Sequence, residues 1–120
     1  MKDEQLIVTI SLKVTDEDVD DIMVTALEGG ITHWCYQAEP VGEYLGDYVS
    51  SQLAKGGSIT LHTEDGKYVL TREDLLKGLA RRIQENPKII EDGGIDTGYI
   101  DADEADRIIQ YAVFGKLVYG

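Results

Sequence analysis

The sequence predicts an α+β fold, a single domain spanning residues 1–120 in which a mainly antiparallel sheet of four to five strands carries about four helices. Three observations lead there. Segments of apolar period two alternate with segments of helical period, one pair of period-two segments is joined by a tight Asp-Gly turn, and turn signals punctuate the chain with no Pro- or Ser-rich linker between them. A chain of 120 residues with 42% hydrophobic side chains is long enough to bury one core without a metal or disulfides.

Taken in order, Leu6, Val8, Ile10, Leu12 and Val14 alternate with Ile7, Thr9, Ser11 and Lys13, which predicts a first strand with one face in the core. Thr15 opens "TDED", a capping box, and Val19, Ile22, Met23 and Ala26 follow at helical spacing until Gly29-Gly30. Residues 31–37, "ITHWCYQ", read as a second strand. In residues 42–55, Leu45, Val49 and Leu53 form one stripe and Tyr44, Tyr48 and Gln52 the next, predicting a second helix ended by Gly56-Gly57. Residues 58–71, "SITLHTEDGKYVLT", predict a hairpin turning at Asp65-Gly66.

Thr71 caps a third helix whose apolar face is Leu75, Leu76, Leu79 and Ile83, and Asn86-Pro87 closes it. Gly78 weakens that helix by about 1 kcal/mol relative to alanine, a cost consistent with close packing at that point. Residues 91–101 read as a loop. Asp101 and Glu104 predict a capping box for a fourth helix buried through Ala105, Ile108, Ile109 and Ala112, and the tail "KLVYG" reads as a short last strand.

Twenty-three acidic against eleven basic side chains give a net charge of −12. Such a field repels nucleic-acid phosphates and anionic lipid over a Debye length of about 8 Å, so neither direct nucleic-acid binding nor membrane binding is expected. It favours encounter with a basic protein surface, although acidity also serves solubility alone. No run approaches the roughly 18 apolar residues of a membrane span. One cysteine, with no signal-peptide pattern at the start, points to a reducing, cytoplasmic setting.

Catalytic and metal motifs are weak. His33 and Cys35 would share a face of a strand, which makes a thiol–imidazole pair conceivable, but a lone cysteine is more often a buried structural residue. His62 meets the same objection. One cysteine and two distant histidines do not make a zinc site, and the acidic runs "TDEDVDD" and "DADEAD" do not match a calcium loop; helix capping is their simpler role. "KGGSITL" is no phosphate loop. The reading is therefore non-enzymatic, with no cofactor and no metal. What stands out is residues 29–48, which hold the only tryptophan and the only cysteine. Trp34, Tyr36, Glu39, Glu43, Tyr44, Asp47 and Tyr48 suggest an acidic, aromatic recognition surface, because tyrosines lose little entropy on immobilisation and carboxylates accept the forked donors of arginine. The competing reading makes Trp34, Tyr36 and Tyr44 ordinary core or boundary aromatics.

The blocks "ALEGGITHWC", "VGEYLGDYVSSQLAKGGSITL", "YVLTREDLLKGL" and "DADEADRIIQYAVFGKLVYG" resemble those of a family of small bacteriophage and prophage proteins. The resemblance spans nearly the whole chain and carries no catalytic motif. It implies an anti-defence role, which small acidic phage proteins fill both as CRISPR inhibitors and as sponges for nucleotide signals; the acidic, aromatic face favours an inhibitor that binds the basic nucleic-acid-binding surface of a host defence nuclease. The alternative is a protein that sequesters a nucleotide signal, with the glycine pairs at 29–30, 56–57 and 93–94 donating N–H groups to phosphates and Trp34 or Tyr44 stacking on a base.

Overall fold

The computed structural model describes residues 3–120. The architecture is α+β, built from three α-helices, a three-stranded antiparallel sheet and a separate two-stranded hairpin. In chain order these are α1 (Asp16–Thr25), β1 (Gln37–Pro40), β2 (Ile59–Thr63), β3 (Gly66–Leu70), α2 (Arg72–Glu85), β4 (Ile90–Glu91), β5 (Gly94–Ile95) and α3 (Ala102–Phe114). The sheet order is β1-β2-β3, with Gln37 opposite His62 and Ile59 opposite Leu70.

Helix α1 begins where the capping box places it. The Thr15 hydroxyl accepts from the Asp18 N–H at 3.0 Å and the Asp18 carboxylate accepts from the Thr15 N–H at 3.0 Å. At its other end the helix widens into a π-helical turn, Ala26–Gly30, closed by Ile31 N–H donating to Ala26 C=O. That turn continues past Gly30: Trp34 and Cys35 both donate to the Ile31 carbonyl. The strand expected at 31–37 therefore begins at Gln37, because Ile31, Trp34 and Cys35 already spend their N–H groups on helix-like bonds.

The 58–71 hairpin forms, but its two-residue turn is Glu64-Asp65, one position earlier than the Asp-Gly signal suggests. The Thr63 hydroxyl fixes it by accepting from Asp65 N–H and donating to Gly66 C=O. The Asp-Gly turn proper lies in the stretch read as a loop: Asp92 and Gly93, at φ 47° and 76°, link β4 to β5. Two positive φ values are what a tight hairpin needs, and Asp-Gly supplies them at low cost.

Three expected elements are absent as regular structure. Residues 6–14 form no sheet strand; only Lys13 bridges, in parallel, to Gly94. Residues 42–55 make no α-helix but an exposed loop followed by one 3-10 turn, Val49–Ser51. The tail 116–120 is not a strand, although the Gln110 side chain treats it as one: its carbonyl oxygen accepts from Val118 and Tyr119 N–H at 2.7 and 2.8 Å, and its amide donates to Tyr119 C=O.

The core joins Val19, Ile22 and Met23 of α1, Ile59, Leu61 and Leu70 of the sheet, Leu75 and Leu79 of α2, and Ile108 and Ile109 of α3. Helices α2 and α3 pack most closely at Gly78, where a Cβ would stand 2.3 Å from Ile108 O and 2.8 Å from Ala112 N. A doubly hydrogen-bonded Arg82–Glu104 pair closes one end of the same contact, and Glu104 gives Arg82 a partner that pushes its pKa further up. Glu104 is thus engaged across helices, so Asp101 caps α3 alone, accepting from Glu104 N–H at 2.8 Å.

Candidate functional site

The residues singled out in the sequence divide between core and surface. Trp34 belongs to the core, 6% exposed. Its indole N–H donates to Asp106 Oδ1 at 2.7 Å, and its ring stacks on Tyr119 with centroids 5.3 Å apart and planes 2° from parallel. Phe114 closes on it from the side. The expectation that Trp34 presents a recognition surface, or stacks on a base, is therefore corrected: the C-terminal tail held by Gln110 already occupies its face. Asp106 is buried by this arrangement, shared between Trp34 and the Gln110 amide.

Tyr36, Tyr44 and Tyr48 are exposed, at 69%, 57% and 71%, and so are Glu39, Glu43 and Asp47. They lie on β1, the residue before it and the loop that follows it. Strand pairing sets the first part of this surface. Tyr36 N–H donates to His62 C=O, and the Glu39 carboxylate meets His62 Nε2 at 2.7 Å across the β1–β2 register, while the Tyr36 ring tilts against the His62 ring at 6.1 Å. His62, read as an isolated histidine, is a buried anchor for Glu39 and Tyr36.

The loop 41–48 is set by Gln52. That side chain is 1% exposed, donates to Glu43 C=O at 3.0 Å and accepts from Leu45 N–H at 3.1 Å. A helix through 42–55 would aim Gln52 along the stripe of Tyr44 and Tyr48; here it turns inward and replaces the missing backbone bonds of the loop. Gly42, at φ 79°, takes the left-handed conformation that starts the departure. The loop exposes Val41 and Leu45 between the tyrosines. Among the described residues, Glu43 and Asp47 make no ion pair.

Sequence reasoning missed Gln52 and Gln110 as organisers of loop and tail. The available signal was the same for each, a glutamine set among apolar residues of an amphipathic pattern.

Cys35 is buried beside this surface, at the edge of a cavity of about 270 Å³ that Leu27, Ile31, Tyr36 and Val49 also line. Burial pushes its thiol pKa up, against the smaller opposing effect of backbone hydrogen bonds, and the S–H donates to Gln37 C=O at 3.3 Å. His33 turns elsewhere, with Nε2 3.5 Å from Asp106 Oδ2. The geometry thus separates the two members of the conceivable thiol–imidazole pair. Among the described residues no three His, Cys, Asp or Glu side chains converge as a metal-binding group, and no helix is long and apolar enough to cross a membrane.

Of the glycine pairs, 56–57 spends its N–H groups within the chain. Gly56 and Gly57 N–H close the turn after the 3-10 segment by donating to Leu53 and Gln52 C=O, and Gly93 C=O accepts from Lys13 N–H. Comparison with protein-family models, curated proteins and solved structures finds no match to this chain.

Proposed function

We propose that this chain is a non-enzymatic binding protein that lays Tyr36, Glu39, Glu43, Tyr44, Asp47 and Tyr48 against a basic, nucleic-acid-binding surface of another protein. The observation that carries the reading is the pairing of three exposed tyrosines with three exposed carboxylates on one strand and the loop that leaves it. Tyrosine supplies contact area at a low cost in side-chain entropy, and carboxylates accept arginine forks in the geometry of a phosphate. Gln52 and His62 hold the loop and Glu39 in place before any partner arrives, which lowers the ordering cost of binding. The net charge of −12 speeds encounter with a basic face. Together with the resemblance to small phage proteins, this supports a host defence nuclease as the partner and inhibition as the outcome.

The test is a comparative capture. Immobilised wild-type protein and an E39Q/E43Q/D47N variant are exposed to the same nuclease-treated bacterial lysate, and retained proteins are identified by mass spectrometry. The proposal expects nucleic-acid-binding proteins that the wild type retains, the variant loses and duplex DNA displaces. Identical retention by the variant, or retention indifferent to DNA, contradicts it.

A further inference from the structure

The segment 3–12 carries the period-two pattern of a strand, yet residues 3–11 are exposed. Leu6, Ile7, Val8 and Ile10 are 87%, 88%, 67% and 57% exposed. Among the described residues its backbone makes no hydrogen bond to the rest of the chain before Lys13 donates to Gly93 C=O. The molecule is elongated: its extents are 57 × 29 × 21 Å and its radius of gyration is 15.1 Å, against about 13.6 Å for a compact chain of this length. Val8, Ile10, Leu12 and Val14 form one wall of a groove of about 800 Å³ whose other wall is Leu76, Ala80 and Ile83 of α2. An unpaired apolar strand edge beside an open apolar groove is a template for another strand.

We propose that the occupant is the same segment of a second copy, paired antiparallel about a twofold axis. Two features of the sequence fix this choice. Residues 5–12 are free of charge in a chain of net charge −12, so two copies can pair along them without setting like charges face to face. The ends of the segment are also complementary, with Asp3 and Glu4 at one end and Lys13 at the other. Antiparallel pairing brings opposite ends together.

The register follows. Directly opposed residues share a sheet face, so Leu6, Val8, Ile10 and Leu12 share a face with their counterparts only if opposed residue numbers sum to an even value. A sum of 16 sets Asp3 opposite Lys13, Leu6 opposite Ile10, and Val8 opposite Val8 on the axis. This gives one face, apolar from Leu6 to Ile10 with Leu12 opposite Glu4 at each end, turned to the two α2 grooves, and one largely polar face turned to solvent. It is an isologous, closed interface, which ends at a dimer. The arrangement is independent of the acidic surface on β1.

Light scattering after size exclusion at about 50 µM reads the mass directly. The dimer predicts twice the 13.3 kDa chain mass for the wild type and a monomer for V8K, with helical circular dichroism unchanged because Val8 is exposed. Register is read by cysteine cross-linking with the wild-type chain, which retains Cys35, as control: V8C joins rapidly into a disulfide-linked dimer and T9C does not. D3K weakens the dimer and D3K/K13D restores it. A monomeric wild type, a larger open assembly, or T9C linking as fast as V8C overturns the proposal.

Discussion

Replacing Gly78 by alanine sets two effects of opposite sign against each other. In an exposed helix interior the change stabilises by about 1 kcal/mol, because alanine loses less backbone freedom. Here the new Cβ meets Ile108 O at 2.3 Å, Ala112 N at 2.8 Å and Ala112 Cβ at 3.0 Å. Two of those atoms are backbone and have no rotamer to escape into. Restoring ordinary contact requires α3 to retreat by roughly 1 Å. Helix α3 is tied in place by Arg82–Glu104 and Trp34–Asp106, so the strain belongs at the upper end of the 1–3 kcal/mol that overpacking typically costs. The helix term offsets about 1 kcal/mol, leaving a net loss of about 2 kcal/mol. With an unfolding entropy of about 2.1 cal/mol/K per residue, that is a fall of roughly 8 °C in Tm. Thermal unfolding by circular dichroism reads it, with urea unfolding as a check at constant temperature. A G78A protein that melts at or above the wild-type temperature refutes the close α2–α3 contact.

Other consequences follow from the same geometry. W34F leaves Asp106 without its indole donor and costs about 1–3 kcal/mol in urea unfolding, whereas a loss below 0.5 kcal/mol contradicts the buried bond. Q110A releases the tail from Trp34, so tryptophan emission shifts to longer wavelength and carboxypeptidase removes the tail faster; unchanged emission contradicts the Tyr119 stack. Cys35, buried with its thiol pKa pushed up, reacts slowly with an aromatic disulfide reagent at pH 8 and quickly after unfolding, and fast native labelling contradicts its placement. The Tyr111 hydroxyl and Arg82 lower the Glu85 pKa from its ordinary 4.5, so their support for the fold is complete above that value and is lost as pH falls through the lower folded one; the Tm difference between wild type and Y111F therefore shrinks on acidification below pH 4.5, and a difference that grows there has the wrong sign.

The parts of the fold legible in the sequence are those fixed by local chemistry. The capping threonines Thr15 and Thr71 mark the starts of α1 and α2, the apolar stripes mark what those helices bury, and the alternation of 58–71 marks a hairpin. The misread parts are those where one side chain replaces a backbone pattern. Residues 42–55 have a helical stripe, but Gly42 and the inward Gln52 hold them as a loop. Residues 31–35 have a strand's alternation, but the N–H groups of Ile31, Trp34 and Cys35 go to the carbonyls of Ala26 and Ile31, and Asp106, 72 residues away from Trp34, claims the indole. Periodicity reports which residues seek burial; it does not report which distant partner reaches them first. Residues 6–14 differ in kind: their pattern is that of a strand, but within the chain only Lys13 finds a β partner, Gly94. Of the proposed surface, Tyr36, Glu39, Glu43, Tyr44, Asp47 and Tyr48 were singled out by composition and are exposed, while the residues that hold the loop and Glu39, Gln52 and His62, carried no such signal.

The proposed role, in which the acidic, tyrosine-rich surface stands in for nucleic-acid charge, makes binding sensitive to salt and to the three carboxylates. The most direct measurement is the affinity of the purified, captured partner for wild type and for E39Q/E43Q/D47N between 50 and 200 mM salt. The account predicts that wild-type affinity falls about tenfold or more over that range, that the variant starts weaker and falls less, and that its Tm stays within about 2 °C of wild type, as surface changes allow. Equal affinities for the two proteins, or wild-type binding indifferent to salt, would contradict it.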